Sequence, residues 1–543
     1  MRKFLVLVAM MAAISFTAAS QVKVSGTILD EGGKPVVGVA VTDGFTVVQT
    51  NAKGKFAFKT SPDATYVYYS IPAEYKVNVK DGHPDFYQRI ERGKKRYDFT
   101  LNRLENGSEK RFRLIAVADP QAQCMFHVKR FSRETVVDIR QYVDSQTQPC
   151  YGVTLGDIGY TEGPFDCVPL LDDMRAAMAY DKTHLLFFQT YGNHDHIKGP
   201  VAADERSSTF NLAYQRAFED VFGPIDYSWN RGDVHIVSMR NIQYDNAQKA
   251  NKYKPAFTRE QYEWVKADLA LVPRDKMVIL CLHIGMYDRT FPYLAEVRQL
   301  LTEFKESHIF VGHTHFMNHH RNGHGTYEHV HAAASGSYWW SSTNGDGTPN
   351  GYTIYDIEGN TLKNWRYKGT GHDISYQIRM YRGDAEFGGE FEKFHFPYSH
   401  NTILANVFMA DPDWKVELYE DGVLTGSMKR IPVTKDKVPE LNSSRDWWAV
   451  GYHIGVVGRS YGHVKNSRSK MNGGGRKGYL TSCNHLYRLE LKNPDAREIK
   501  VVATDTNGNV YEQTRFTESG DYSENALMNE LIATPRKVLN ETY

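Results

Sequence analysis

The chain has 543 residues, 41% of them hydrophobic and 43 of them glycine, with 65 Lys and Arg against 64 Asp and Glu. That balance excludes a disordered or fibrous chain and argues against a general nucleic-acid binder, which would be strongly basic. At roughly 150 residues per domain the length predicts about three and a half domains, with ample chain for buried cores.

Arg2 and Lys3 precede an apolar stretch over residues 4–16, and Ala18-Ala19-Ser20 supplies small residues for cleavage before Gln21. Residues 1–20 therefore read as a secretory signal peptide, too short to span a membrane comfortably. Its removal leaves 63 basic against 64 acidic residues. No other segment has eighteen unbroken apolar residues. The mature chain is expected to be periplasmic or secreted, soluble and without a transmembrane anchor. Cys124, Cys150, Cys167, Cys281 and Cys483 are sparse, odd in number and lack CxxC spacing, so most are expected to be small buried apolar side chains.

Residues 21–104 read as short strands. Val22, Val24, Gly26 and Ile28 alternate, Glu31-Gly32-Gly33-Lys34-Pro35 is a turn, and Val37, Val39, Val41 and then Phe56 and Phe58 alternate again. This pattern predicts a small β-sandwich. Through Gly26, Asp30, Gly33, Pro35, Gly38, Val39, Val41, Asp43-Gly44, Thr50, Gly54 and Phe56 it resembles the transthyretin-like, carboxypeptidase-regulatory type of sandwich. A polar linker over residues 102–110 follows.

Residues 111–369 change character. Leu114-Ile115-Ala116-Val117-Ala118, Tyr151-Gly152-Val153-Thr154-Leu155, Leu185-Leu186-Phe187-Phe188, residues 277–282 and residues 309–311 are apolar runs of strand length. Between them Val136, Ile139 and Val143, then Met174, Ala177 and Met178, fall at helical spacing. Thr258 and Gln261 form a capping box ahead of Tyr262, Val265, Leu269 and Val272. Strands alternating with helices predict an α/β domain. Residues 371–543 return to strand patterns, with hairpin turns at Asp421-Gly422 and Asn507-Gly508, and predict a second β-sandwich domain.

Metal-ligating residue types stand at the ends of the central strands: Asp119 and Gln121 after the first, Gly156-Asp157 after the second, Gly192-Asn193-His194-Asp195 after the third, His283 after residues 277–282, and Gly312-His313-Thr314-His315 after residues 309–311. Strand ends of α/β sheets converge on a crevice. Carboxylates, amide oxygens and imidazoles gathered there suit two divalent cations, with a bridging carboxylate between them.

These five blocks resemble the calcineurin-like metallophosphoesterase superfamily, over residues 119–368. Gln261–Trp264–Asp268-Leu269, Ser335-Gly336-Ser337-Tyr338-Trp339-Trp340 and Gly345-Asp346-Gly347-Thr348-Pro349-Asn350-Gly351-Tyr352 add to the likeness. The layout is similar to a bacterial branch with a β-sandwich on each side of the catalytic domain. The resemblance implies two mixed β-sheets packed as a sandwich and flanked by helices. It implies a first metal held by Asp119, Gln121, Asp157 and His315, and a second held by Asp157, Asn193, His283 and His313, with Asp157 bridging. The ions would be Mn, Fe, Zn, Co or Mg. A bridging hydroxide would attack the phosphorus of an anionic phosphate-ester substrate, and His194 would assist the leaving oxygen. Asp195 either orients His194 or caps the loop. The first block departs from the usual Asp-x-His, since Gln121 offers a neutral carbonyl oxygen. Gly156-Asp157-Ile158-Gly159-Tyr160 lacks the second acid of protein phosphatases.

Among other features, His319, His320, His324, His329 and His331 are expected to be surface or hydrogen-bonded histidines, with contact of one of them to substrate phosphate as the alternative. The acid-free residues 451–480 carry Arg459, Lys465, Arg468, Lys470, Arg476 and Lys477, a solvated loop in the simplest reading and a substrate-attracting one in the alternative. Trp339-Trp340 and Trp447-Trp448 are expected in packing rather than stacked on a ligand. No HExxH, GxSxG or P-loop signature occurs. The competing function is an inactive relative that binds a glycan or protein partner.

Overall fold

A computed structural model describes residues 22–204, 207–248, 252–322, 325–336, 338–339, 341–385, 398–433, 444–452 and 482–517. Residues 1–20, expected to be a signal peptide, almost all of the basic stretch, His324 and Trp340 lie outside the described residues.

Eleven strands make the two central sheets: β1 (Arg111–Val117), β2 (Cys150–Thr154), β3 (Phe187–Phe188), β4 (Tyr227–Arg231), β5 (Val234–Ser238), β6 (Met277–Cys281), β7 (Glu306–Val311), β8 (Asn318–Arg321), β9 (Thr326–Val330), β10 (Gly351–Glu358) and β11 (Thr361–Gly369). One sheet runs β3-β2-β1-β10-β11 and the other β4-β5-β6-β7-β9-β8. The first is parallel through β1, β2 and β3 and antiparallel at β10 and β11. The second is parallel from β5 through β6 and β7 to β9, with antiparallel edges.

The unbroken apolar runs follow from burial on both faces. In β1, Phe112, Leu114 and Ala116 fill the space between the sheets, whereas Ile115 and Val117 face a second core. That core includes Val136 and Ile139 of the helix Val136–Asp144 and Met174 of the helix Leu171–Ala177. In β6, Met277, Ile279 and Cys281 point between the sheets, while Val278 and Leu280 meet the helices Arg259–Leu269 and Leu294–Leu301. The capping box forms with both bonds: Gln261 N donates to Thr258 Oγ1 at 3.2 Å and Thr258 N to Gln261 Oε1 at 3.0 Å. The helix ends at Leu269, so Val272 lies beyond it.

The N-terminal region forms a three-stranded and a four-stranded sheet, with the expected alternation along Lys23–Asp30 and Lys55–Lys59. It docks on the central domain through buried bonds. Trp264 Nε1 donates to Thr42 Oγ1 at 3.1 Å, Tyr66 Oη to the Glu219 carbonyl at 2.6 Å, and Asn230 N to the Ile71 carbonyl at 2.8 Å. Asp268 serves the same joint by accepting from Ser228, which also bonds Ser70, and Gln261 bonds Asp226, whose carbonyl accepts from Tyr68 Oη. The C-terminal region forms two four-stranded sheets. Asp421 and Gly422 both take left-handed φ, 46° and 80°, as a two-residue hairpin requires. Of the apolar run Val407-Phe408-Met409, only Val407 belongs to a strand, Thr402–Val407. One apolar core runs continuously from the first sandwich through the inter-sheet layer to the last. Cys124, Cys167, Cys281 and Cys483 are buried, and Cys150 is half-buried. Among the described residues no helix is long and apolar enough to cross a membrane.

Several histidines on and after β7 are buried rather than at the surface, and His331 takes the hydrogen-bonded alternative. His308, His319, His329 and His331 are buried among Phe310, Tyr327, Tyr355 and Trp365. His331 Nδ1 donates to the Val311 carbonyl at 2.9 Å and Nε2 accepts from Tyr355 Oη at 2.8 Å. Neither ring nitrogen of His319 has a partner among the described residues. Burial holds His319 and His329 well below the ordinary imidazole range and pushes His331 down to about 4. As pH falls below about 6.5 the unfolded chain takes up protons that the folded one refuses. Stability from these groups is complete above that pH and is lost as pH falls toward 4, at about 1 kcal/mol per pH unit for each histidine. His319→Phe should therefore raise the melting temperature at pH 5 and flatten its dependence between pH 7.5 and 5. Parallel melting curves for variant and wild type would contradict this.

Candidate metal centre

Each candidate ligand follows the C-terminal end of a parallel strand: Asp119 after β1, Asp157 after β2, Asn193 after β3, His283 after β6, and His313 and His315 after β7. Backbone bonds knit the loops. Gln121 N donates to the Asp157 carbonyl at 2.8 Å and Gly312 N to the His283 carbonyl at 3.1 Å. The glycines of the motifs permit this approach. A Cβ on Gly312 would lie 2.4 Å from Asp119 Oδ2, and one on Gly192 only 2.0 Å from Asp157 N. Asp119, Gln121, Asp157, His313 and His315 all take left-handed φ, between 40° and 71°. Such a concentration of unfavourable backbone marks a functional site.

The structure brings all eight residues singled out in the sequence together. Asp157 is central. Its Oδ2 accepts from Gln121 Nε2 at 2.7 Å and lies 3.2 Å from His283 Nε2, while Oδ1 accepts from His194 N at 2.8 Å. His283 Nε2 is also 2.9 Å from Asn193 Oδ1. Asp119 accepts from His313 N at 2.9 Å and lies 3.3 Å from His315 Nε2. Ligand-type atoms of Asp157, His283 and His313 fall within 4.8 Å of one another. His313, whose ring is 5.0 Å from that of His283, joins the Asp119 half to the Asp157 half.

The electrostatics reflect this crowding. Burial opposes ionisation of Asp157, but the His283 and His194 imidazoles and hydrogen bonds from both residues outweigh it and hold the carboxyl well below its usual range. Burial pushes His283 down, yet the Asp157 charge and hydrogen bond, with help from Asp119, lift it to about 9. Burial and the positive His283 hold His313 well below the imidazole range. Asp195 is pushed up to about 7 by burial and the Asp157 charge. Of the two roles open to Asp195, the loop cap is the one observed: its oxygens accept from Gly159 N at 2.8 Å and Gly192 N at 2.9 Å. The group beside the His194 ring is instead the Thr161 carbonyl, 3.2 Å from Nδ1.

The donor set fits divalent ions. His283 Nδ1 donates to the Leu155 carbonyl at 2.8 Å, so loss of the Nε2 proton, which binding of a cation drives, leaves a lone pair facing Asp157 and Asn193. Gln121 Oε1 is a buried oxygen with no hydrogen-bond partner among the described residues. Buried oxygens of this kind are what hard cations satisfy.

Glu328, Arg130 and Glu134 escaped the sequence reading, as did the supporting role of Asp346. Glu328, buried on β9, accepts from Met286 N and Tyr287 N, both at 3.0 Å, and so fixes the loop after His283. Asp346 accepts from Met317 N at 2.7 Å, just beyond His315, and faces His485 Nε2 of the C-terminal region at 3.1 Å. Trp339 Nε1 donates to the Pro120 carbonyl, and buried Arg130 donates to the Trp339 carbonyl and to Glu134 at 2.6 and 2.7 Å. Trp339, Trp447 and Trp448 are buried in packing, Trp448 beneath Arg379.

Three family models match the chain in order: the N terminal of calcineurin-like phosphoesterase over residues 22–104, calcineurin-like phosphoesterase over 112–317, and the C terminal of calcineurin-like phosphoesterase over 328–511. The chain belongs to the calcineurin-like phosphoesterase family. Membership implies a metal-dependent phosphoesterase with divalent cofactors and a phosphate-ester substrate. No curated protein sequence matches the chain. Among solved structures, a dimetal phosphatase from Danio rerio is 13% identical, covering 48% of this chain and 96% of its own, with a TM-score of 0.31. A purple acid phosphatase from yellow lupin (Lupinus luteus) seeds is 13% identical over 60% of this chain and 56% of its own, with a TM-score of 0.32. PhoD is 9% identical over 84% of this chain and 92% of its own, with a TM-score of 0.34.

Proposed function

We propose that the protein is an exported phosphoesterase working with two divalent ions, the first held by Asp119, Gln121, Asp157 and His315 and the second by Asp157, Asn193, His283 and His313. The observation that carries this reading is the central position of Asp157, whose Oδ2 meets both Gln121 and His283 while Oδ1 accepts from His194 N. Bound divalent ions supply an acidified water and charge compensation for phosphoryl oxygens. The chain's own residues do the rest. The Leu155 carbonyl fixes the His283 tautomer, and the Asp119 carboxylate anchors the backbone of His313. His194, steadied at Nδ1 by the Thr161 carbonyl, keeps its other ring nitrogen for a proton or hydrogen bond to the leaving oxygen. The buried walls exclude bulk water and strengthen each of these interactions.

The test is a metal titration of chelated protein with Mn, Fe, Zn, Co and Mg. Each loaded form is then assayed on phosphomonoesters, phosphodiesters, nucleotides and phospholipids. Two ions per chain with metal-dependent turnover are expected. One ion per chain removes the dinuclear assignment, and two ions without turnover favour the binding-protein reading. Export rests on the residue 1–20 pattern, and protein retained in the cytoplasm with residues 1–20 still attached would count against it.

A further inference from the structure

Tyr338 and Trp339 take left-handed φ in succession, 53° and 64°. Side-chain-bearing residues adopt this conformation at a cost and keep it only where the surroundings enforce it. Trp339 supplies the enforcement. Its indole is fully buried, bonds the Pro120 carbonyl, and lies 5.4 Å from the Arg130 guanidinium. Tyr338 is what the strained pair displays. Its half-buried ring stands 5.2 Å from the His315 ring and 5.5 Å, edge-on, from Tyr160. Tyr160, also half-buried, lies over His194 at 4.3 Å with 35° between the planes. The two tyrosines thus span from the residue assigned to the leaving oxygen to a residue assigned to the first ion.

A phosphoryl group gains nothing from an aromatic face, and the two ions are assigned carboxylate, amide and imidazole ligands. Apolar rings on the margin of so polar a site meet the remainder of the substrate. The Tyr160 hydroxyl donates to Glu162 at 2.8 Å, so this residue offers its ring rather than its hydroxyl. The Glu162 carboxylate also disfavours a leaving group that carries further negative charge. We propose that Tyr160 and Tyr338 form a subsite for a planar aromatic leaving group on the phosphate ester, either an aryl alcohol or a nucleoside. The inference rests on the phosphoesterase reading above and adds the substrate class.

The experiment compares phenyl phosphate, a nucleoside 5′-monophosphate and butyl phosphate, with their methyl diesters, on metal-loaded full-length protein. The variants are Tyr160→Leu, Tyr338→Leu and the corresponding Phe changes. Each Leu change is expected to lower kcat/KM for an aromatic ester about tenfold relative to the butyl ester, and each Phe change to preserve the ratio. A drop for the phenyl ester alone assigns the subsite to aryl alcohols, and a drop for the nucleotide alone assigns it to nucleosides. An equal change for all three esters overturns the proposal while leaving the phosphoesterase reading intact. No turnover of any ester by the loaded wild type removes both. Should the Leu variants fail to fold, inhibition of wild-type butyl-ester turnover decides. 4-Cresol or a nucleoside should inhibit at least tenfold more tightly than butanol, and equal inhibition overturns the subsite.

Discussion

Asp157→Asn is expected to lower kcat/KM for every phosphate ester roughly 10³-fold or more and to strip divalent metal from the protein. The carboxylate accepts from His194 N through one oxygen and faces Gln121 Nε2 and His283 Nε2 with the other. An amide of the same shape has one acceptor oxygen, no charge, and an NH2 that must face a donor on one side. The buried position makes that mismatch costly and leaves two cations with less negative charge between them. Elemental analysis beside kinetics separates the consequences. Retention of a tenth of the activity at full metal content would falsify the central placement of this residue.

Gly192→Ala is the second large effect. Gly192 does not have a positive φ, so alanine suits the backbone and only space is at issue. Its methyl would fall 2.0 Å from Asp157 N and 2.2 Å from Asp157 Oδ1, inside any permissible contact. The loops bearing Asp157 and Asn193 must separate by more than 1 Å, roughly the misplacement that costs about 10²-fold in rate. Overpacking should also destabilise the fold by about 1–3 kcal/mol. Gly32→Ala is the control, since its nearest neighbour would be Asp30 Oδ1 at 3.4 Å. Urea denaturation and kcat measured on both variants check this, and matching behaviour would show that the loops yield without consequence.

Much of the central domain was legible because its strands are covered on both faces, which leaves contiguous apolar runs in the sequence. The capping box at Thr258 and the Asp421-Gly422 hairpin were legible because each is settled within a few residues. The third strand was overextended: Leu185-Leu186 leads into it, and only Phe187–Phe188 pairs. The ligand-type residues were found through their placement after strands. Their supports were not, because a buried carboxylate such as Glu328 leaves no periodic trace and its partners lie more than 40 residues away. The same gap left the histidines undecided between surface and hydrogen-bonded positions, and only the rings of Phe310, Tyr355 and Trp365 around them show that they are buried. Around Trp339 the aromatic run was noticed, but the sequence had no means of telling that Trp339 would be the anchor and Tyr338 the displayed ring.

The contact between Asp346 and His485 sets an order of events during synthesis. His315 leaves the ribosome long before His485, and at about 5–20 residues per second the interval is on the order of 10–30 s. Asp346, which anchors Met317 N, follows His315 within this interval and then lacks its imidazole partner until His485 is made. The nascent polypeptide therefore carries its ligand loops while their last brace is still untranslated, and premature termination ahead of residue 485 yields a centre with one support missing.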